Sequence, residues 1–164
     1  FGTLIPCFNE KNFFFTILPN NEKVGVNKKN LSRFTDYRDY KESVMEFSSQ
    51  LIGIPYLWGG KSSLGFDCSG FVQTVFKALN IDLPRDSSQQ IKHRDLIEIN
   101  YSELEVGDIL FFADSKIVNH VAICMGNGEI IHSSGCVKIE KLEENEKLHK
   151  KLYKIMSIKN IFNE

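Results

Sequence analysis

Asp67-Cys68-Ser69-Gly70-Phe71-Val72-Gln73-Thr74-Val75-Phe76-Lys77-Ala78-Leu79-Asn80 reads as one helix with a cysteine in its first turn. Phe71, Val72, Val75, Phe76 and Leu79 recur at spacings of one, three and four, which buries one side of a helix. Asp67 stands before the run as a natural N-cap, and Asn80 with Pro84 ends it. A thiol at a helix start sits among unpaired backbone N–H groups at the positive end of the dipole, which favours the thiolate. The same N–H groups can hold the oxyanion of a tetrahedral intermediate. Gly70 is expected to let the backbone approach a substrate closely. The plain alternative is a packing cysteine, and Cys68 alone leaves the two readings level.

Working outward, Val44, Phe47 and Leu51 share a face of an earlier helix, opened by Asp39 with Glu42 three residues on and stopped by Gly53 and Pro55. Residues 54–66, with three glycines, read as a loop. A short polar helical turn is expected over 87–92. From Gly107 the signals turn to strands: 109–112, 118–125, 129–133, 137–141 and 152–158, with a charged, helix-prone stretch at 143–151. Helices followed by a run of strands predict an α+β domain with an antiparallel sheet over residues 35–164. Residues 1–34 carry short apolar clusters between turn residues and read as two or three strands of a partial β segment, too few to bury a sheet face alone.

Twenty basic against twenty-one acidic side chains give no electrostatic case for nucleic acid or an anionic membrane. No apolar run is long enough for a membrane span. Cys7, Cys68, Cys124 and Cys136 form no CxxC pair, and a chain of this length does not need disulfides to fold. With Phe1 first, the chain reads as a processed product or an excised fragment, and no secretion signal is legible.

His120 lies in Val118-Asn119-His120-Val121-Ala122-Ile123, where strand alternation sends His120 and Ala122 to one face, Val121 and Ile123 to the other. An imidazole among such neighbours needs partners for its ring nitrogens, and imidazole is the side chain suited to serve as base for a thiol. His132 sits on the next strand, and a tight turn at Asn127-Gly128 pairs the two strands, bringing His132 near His120. A catalytic base needs an orienting partner on its other nitrogen. His93 and His149 lie in charged surroundings and read as surface residues.

Six stretches occur in order: Pro55-Tyr56-Leu57-Trp58-Gly59-Gly60, Asp67-Cys68-Ser69-Gly70-Phe71, Leu83-Pro84-Arg85-Asp86-Ser87, Gly107-Asp108-Ile109-Leu110-Phe111-Phe112, His120-Val121-Ala122-Ile123 and Ile131-His132-Ser133-Ser134. Together they resemble the NlpC family of bacterial cell-wall cysteine peptidases. The resemblance implies a papain-like α+β fold and hydrolysis of the γ-D-glutamyl bond to a diamino acid, diaminopimelate or lysine, in peptidoglycan stem peptides. It implies Cys68 as nucleophile, His120 as base, His132 as the orienting third residue and Tyr56 beside the thiol at the oxyanion site. Asp67, Ser69, Asp86 and Ser87 would line the substrate site. Each of those four also has an ordinary helix-capping explanation.

Leu83-Pro84-Arg85-Asp86-Ser87-Ser88-Gln89-Gln90 is similar to the enzymes that cut after L-Ala-γ-D-Glu in released peptides and carry bacterial SH3-like domains. Residues 1–34 would then be the end of such a domain. The expected partner is a stem peptide or muropeptide with a free L-Ala amine, handled by a monomer without cofactor or metal; the compartment stays open, with cytoplasmic recycling favoured over a secreted or cell-wall location. Three other readings stay open. They are a zinc site from one cysteine and two histidines, an amidase or acyltransferase on the same fold, and a wall-binding module without catalysis.

Overall fold

A computed structural model describes residues 8–10, 13–27 and 40–158. In chain order these form β1 (Phe8–Glu10), β2 (Phe13–Ile17), β3 (Lys23–Gly25), α1 (Tyr40–Ser49), β4 (Lys61–Ser62), β5 (Gly65–Phe66), α2 (Cys68–Ala78), α3 (Ser87–Gln90) and β6 (Ile97–Ile99). A 3₁₀ turn at Tyr101–Glu103 leads to β7 (Ile109–Asp114), β8 (Ile117–Gly126), β9 (Glu129–Ser134), β10 (Cys136–Lys141), α4 (Glu146–His149) and β11 (Leu152–Ser157). Asp39, the expected cap of α1, lies outside the described residues, as does Cys7.

The main sheet has six strands in the order β10-β9-β8-β7-β11-β6, every neighbouring pair antiparallel. The α+β expectation therefore holds. Its centre is buried on both faces, so β7 reads as an unbroken apolar run. Ile109 and Phe111 of β7, Val121 and Ile123 of β8 and Ile131 of β9 join the core that takes in α1 and α2. Leu110, Phe112, Ala122, Cys124 and Ile130 point the opposite way, into a second cluster with Leu142 and Ile155.

The helix α2 is fixed at both ends by its own sequence. The Asp67 carboxylate accepts the Gly70 N–H at 2.7 Å, and Asn80 leaves the helix with φ of 63°. Phe71, Val72, Val75 and Phe76 are fully buried against the sheet, where α2 lies over β8 and β9. Each such side chain contributes roughly 1.5–3 kcal/mol by leaving water.

Two expectations change. The stretch taken for a plain loop contains the β4–β5 hairpin, paired Lys61 to Phe66 and Ser62 to Gly65. Gly70 faces the Gly60 carbonyl, which a β-carbon there would strike, so its smallness serves backbone packing rather than substrate approach. The strand β6, only three residues at the sheet edge, was not foreseen either.

The strands β1, β2 and β3 form a separate three-stranded antiparallel sheet in that order. Among the described residues no helix is long and apolar enough to cross a membrane.

Candidate active site

Cys68 is the first residue of α2 and is buried, with 8% of its surface exposed. Burial, and then the Asp67 carboxylate, push its thiol up. The backbone N–H groups of Ser69, of Val121 and of Cys68 itself pull it the other way without prevailing. The helix start thus supplies the expected N–H groups but not the expected lowered thiol. The Val121 N–H reaches the sulfur from β8, the strand that also carries His120.

The β8–β9 hairpin turns at Asn127-Gly128, with φ of 53° and 75°, the left-handed pair a two-residue turn requires. This returns β9 alongside β8 and brings the rings together: His120 Nε2 lies 2.7 Å from His132 Nδ1. His132, 2% exposed, places its Nε2 2.7 Å from Glu140 Oε2. Glu140 is on β10, where Lys138 sits directly opposite His132 and Glu140 one pleat further along the same face. Lys138 Nζ donates to Glu140 Oε1 at 2.8 Å, and Asn145 Nδ2 to Oε2 at 3.3 Å. Burial pushes Glu140 up, but the hydrogen bonds from Lys138 and His132 outweigh it and hold the carboxyl below its ordinary range.

An ionised Glu140 accepts, so the His132 proton belongs on Nε2 and its Nδ1 is a lone pair. That lone pair accepts from His120, whose proton is then on Nε2 and whose Nδ1 is left free to receive a proton. Burial first, and the neighbouring His132 second, push His120 down to about 4 against the opposing pull of Glu140. Burial also lowers His132, more than Glu140 raises it. At neutral pH the resting site therefore holds a neutral thiol and two neutral imidazoles.

Tyr56 lies in the turn ahead of β4. Its N–H donates to the Gly135 carbonyl at 2.8 Å, which ties the turn to the start of β10. Burial raises its hydroxyl, followed by the charges of Cys68 and Asp67, so its phenol shares their electrostatic neighbourhood.

Asp67 is filled from within the chain. Its Oδ1 accepts from the Gly70 N–H and from Arg85 Nη1 at 2.9 Å; its Oδ2 accepts from the Gly59 N–H at 2.9 Å and from Arg85 Nη2 at 2.5 Å. Burial raises this carboxyl, but Arg85 and the two N–H groups together carry it below its ordinary range. Ser69 Oγ accepts from Arg85 Nη1 at 3.0 Å, and the Ser69 carbonyl accepts from Gln90 Nε2 at 3.0 Å. Gln90 also donates to the Pro84 carbonyl at 2.9 Å, so α3 holds the first turn of α2 in place. Ser87 is buried at the start of α3, and Asp86 stands exposed before it without a side-chain cap bond.

Among the described residues no group of three His, Cys, Asp or Glu side chains is placed to hold a metal ion. Cys124 is buried in the second cluster, and Cys68, Cys124 and Cys136 are free thiols. His149 is exposed, while His93 is half-buried beside Asp95.

Sequence reading did not single out Glu140 or Arg85. Glu140 was within reach, because the predicted strands around Gly135 form a hairpin and alternation puts it on the face of His132. Arg85 gave no signal, since nothing local joins it to a carboxylate 18 residues earlier.

The NlpC/P60 family model matches residues 53–157. A gamma-D-glutamyl-L-lysine dipeptidyl-peptidase of Bacillus cereus (strain ATCC 10987 / NRS 248) is 33% identical over 141 residues, covering 81% of this chain and 42% of the relative. One of the same description from Bacillus subtilis (strain 168) is 30% identical over 168 residues, covering 100% of this chain and 55% of the relative. The solved structure of an NlpC/P60 family protein from Bacillus cereus ATCC 10987 matches with a TM-score of 0.80 at 28% identity, over 92% of this chain and 52% of that one. The chain spans about half the length of these relatives.

Proposed function

The chain belongs to the NlpC/P60 family, and from that premise we propose that it hydrolyses the γ-D-glutamyl bond to a diamino acid in peptidoglycan stem peptides. The observation that carries this reading is the hydrogen-bonded line His120–His132–Glu140, with His120 on the strand whose Val121 N–H reaches a thiol at a helix start. Two relatives named for γ-D-glutamyl-L-lysine cleavage support the bond, with lysine or diaminopimelate as the diamino acid.

In this mechanism Cys68 Sγ attacks the γ-carbonyl carbon as His120 Nδ1 takes the thiol proton. Charge gathers on the carbonyl oxygen, and in this mechanism the backbone N–H groups of the α2 start and the Tyr56 hydroxyl serve as its oxyanion site. The tetrahedral species collapses to a thioester, and the C–N bond breaks as the imidazolium gives its proton to the departing amine. Water, activated by the same imidazole, then cleaves the thioester, releasing the glutamyl carboxylate and restoring the thiol. Since burial favours a neutral His120, proton transfer accompanies attack rather than preceding it.

A dipeptidyl-peptidase works from a free amino end, which favours released peptides and a recycling role for this chain. Asp67 is held by Arg85, so the exposed Asp86 is the carboxylate open to an ammonium group near the site. Ser69, bonded to Arg85, and Ser87, next to Asp86 in the chain, are the further lining in this reading. The β1–β3 sheet is the end of a preceding SH3-like domain in this reading, which the twofold length of the relatives supports.

Mass spectrometry of products from L-Ala-γ-D-Glu-L-Lys and L-Ala-γ-D-Glu-diaminopimelate, each beside its N-acetylated form, tests the proposal. Release of L-Ala-D-Glu from the free-amine peptides alone is the expected result, abolished in Cys68→Ala with peptide binding retained. Cleavage at another bond, or undiminished turnover by Cys68→Ala, would overturn it. Binding without turnover by the unaltered chain would favour the wall-binding alternative.

A further inference from the structure

We propose that Glu140 is a positioning residue that fixes the proton on each of two rings in series, so that His120 always keeps Nδ1 as a lone pair, the nitrogen that takes the thiol proton in the mechanism above. The inference rests on the catalytic reading above and extends it to a carboxylate that touches neither the nucleophile nor the base.

Two neutral rings joined by one hydrogen bond have two self-consistent arrangements. The His120 proton can point to His132, or the His132 proton can point to His120, and only the first leaves His120 Nδ1 basic. Nothing in the His120–His132 contact at 2.7 Å chooses between them. The choice is made at the far end, where Glu140 Oε2 stands 2.7 Å from His132 Nε2 and accepts only while it is ionised. With the other arrangement, a bare ring nitrogen would face a carboxylate, two acceptors without a proton between them.

Glu140 is built to stay ionised and in place. Lys138 binds its other oxygen, Asn145 donates to the same oxygen as His132, and the side chain is 28% exposed, enough for water to reach it. The strand register contributes the rest. Lys138 lies opposite His132, and a step of two along β10 keeps Glu140 on the same face.

The same carboxylate acts when the imidazolium forms. A positive charge on His120 is stabilised electrostatically by the Glu140 carboxylate across the His132 ring, with no proton passing to Glu140.

The test uses ¹⁵N-labelled chain and reads imidazole nitrogen shifts at neutral pH, a measurement that needs no turnover and so stands apart from the proposed reaction. In the unaltered chain His120 should show Nε2–H alone. Glu140→Leu, which has no acceptor, should give a mixture of tautomers on both rings and about 10- to 100-fold lower kcat with KM little changed. Glu140→Gln retains an acceptor, so it should recover the single tautomer while its acid limb of kcat/KM against pH moves lower, because the negative charge is gone. An unchanged His120 tautomer in Glu140→Leu would overturn the proposal. So would an acid limb in Glu140→Gln identical to the unaltered chain, which decides the matter if the leucine variant does not fold.

Discussion

His120 Nε2 and His132 Nδ1 stand 2.7 Å apart, close enough that one proton must lie between them and neither ring can be charged without disturbing the other. His132 is buried and His120 half-buried, and burial is the largest influence on both rings. A site built this way keeps its base neutral well below the pH at which a free imidazole would titrate.

The acid limb of activity should therefore fall near pH 4 rather than near 6.5, since His120 is pushed down to about 4. The alkaline limb should lie above the usual thiol range, because burial and Asp67 raise Cys68. Both limbs belong to the coupled site as a whole. A profile of kcat/KM against pH checks this, and an acid limb near 6.5 would mean a base far better solvated than the fold allows.

Stability should follow the same groups. A histidine with a lowered folded pKa favours the neutral form, so its contribution is complete above about pH 6.5, the ordinary value. It is lost as pH falls from there toward about 4. Melting temperatures across that window should decline less steeply in His120→Asn than in the unaltered chain. Parallel curves would show that the ring does not lose its hydration on folding.

Arg85→Met should destabilise the fold by about 2–3 kcal/mol in urea titration, since it strands the Asp67 carboxylate, whose side chain is only 10% exposed. The partial exposure of Arg85 keeps the figure below that for a fully enclosed pair. Asp67→Asn combined with Arg85→Met should be less destabilised than the two single losses added together. Strict additivity would deny the pairing.

Gly70→Ala should cost about 1–3 kcal/mol, because the new β-carbon meets the Gly60 carbonyl and lies 2.9 Å from Asp67 Oδ1. The start of α2 must shift, so kcat should fall with it. Thermal melts and kcat measured on the same sample check both; full activity would mean that Cys68 tolerates a displaced helix start.

What the sequence revealed divides along the range of the interactions involved. The start of α2 was legible because Asp67, Cys68 and the apolar spacing act within one turn. The meeting of His120 with His132 was legible because Asn127-Gly128 states its own turn type. Family resemblance supplied the roles. Arg85 reaches Asp67 across 18 residues and shows in no local pattern, whereas Glu140 reaches His132 through the register of a hairpin whose strands were already legible, and strand alternation alone would have found it. The raised thiol was hidden for a different reason. A helix start lowers a cysteine by an amount readable from position, whereas the opposing desolvation depends on how deeply the finished fold encloses it.

The sharpest test of the account is whether Cys68 carries the acyl group during turnover. Intact-protein mass spectrometry after acid quench of the chain mixed with L-Ala-γ-D-Glu-L-Lys should reveal a fraction heavier by one L-Ala-γ-D-Glu acyl unit. Peptide mapping should place it on Cys68, and Cys68→Ala should lack it. An adduct on another residue, or rapid turnover by a chain whose Cys68 is replaced, would contradict the claim that this thiol attacks with His120 as its base.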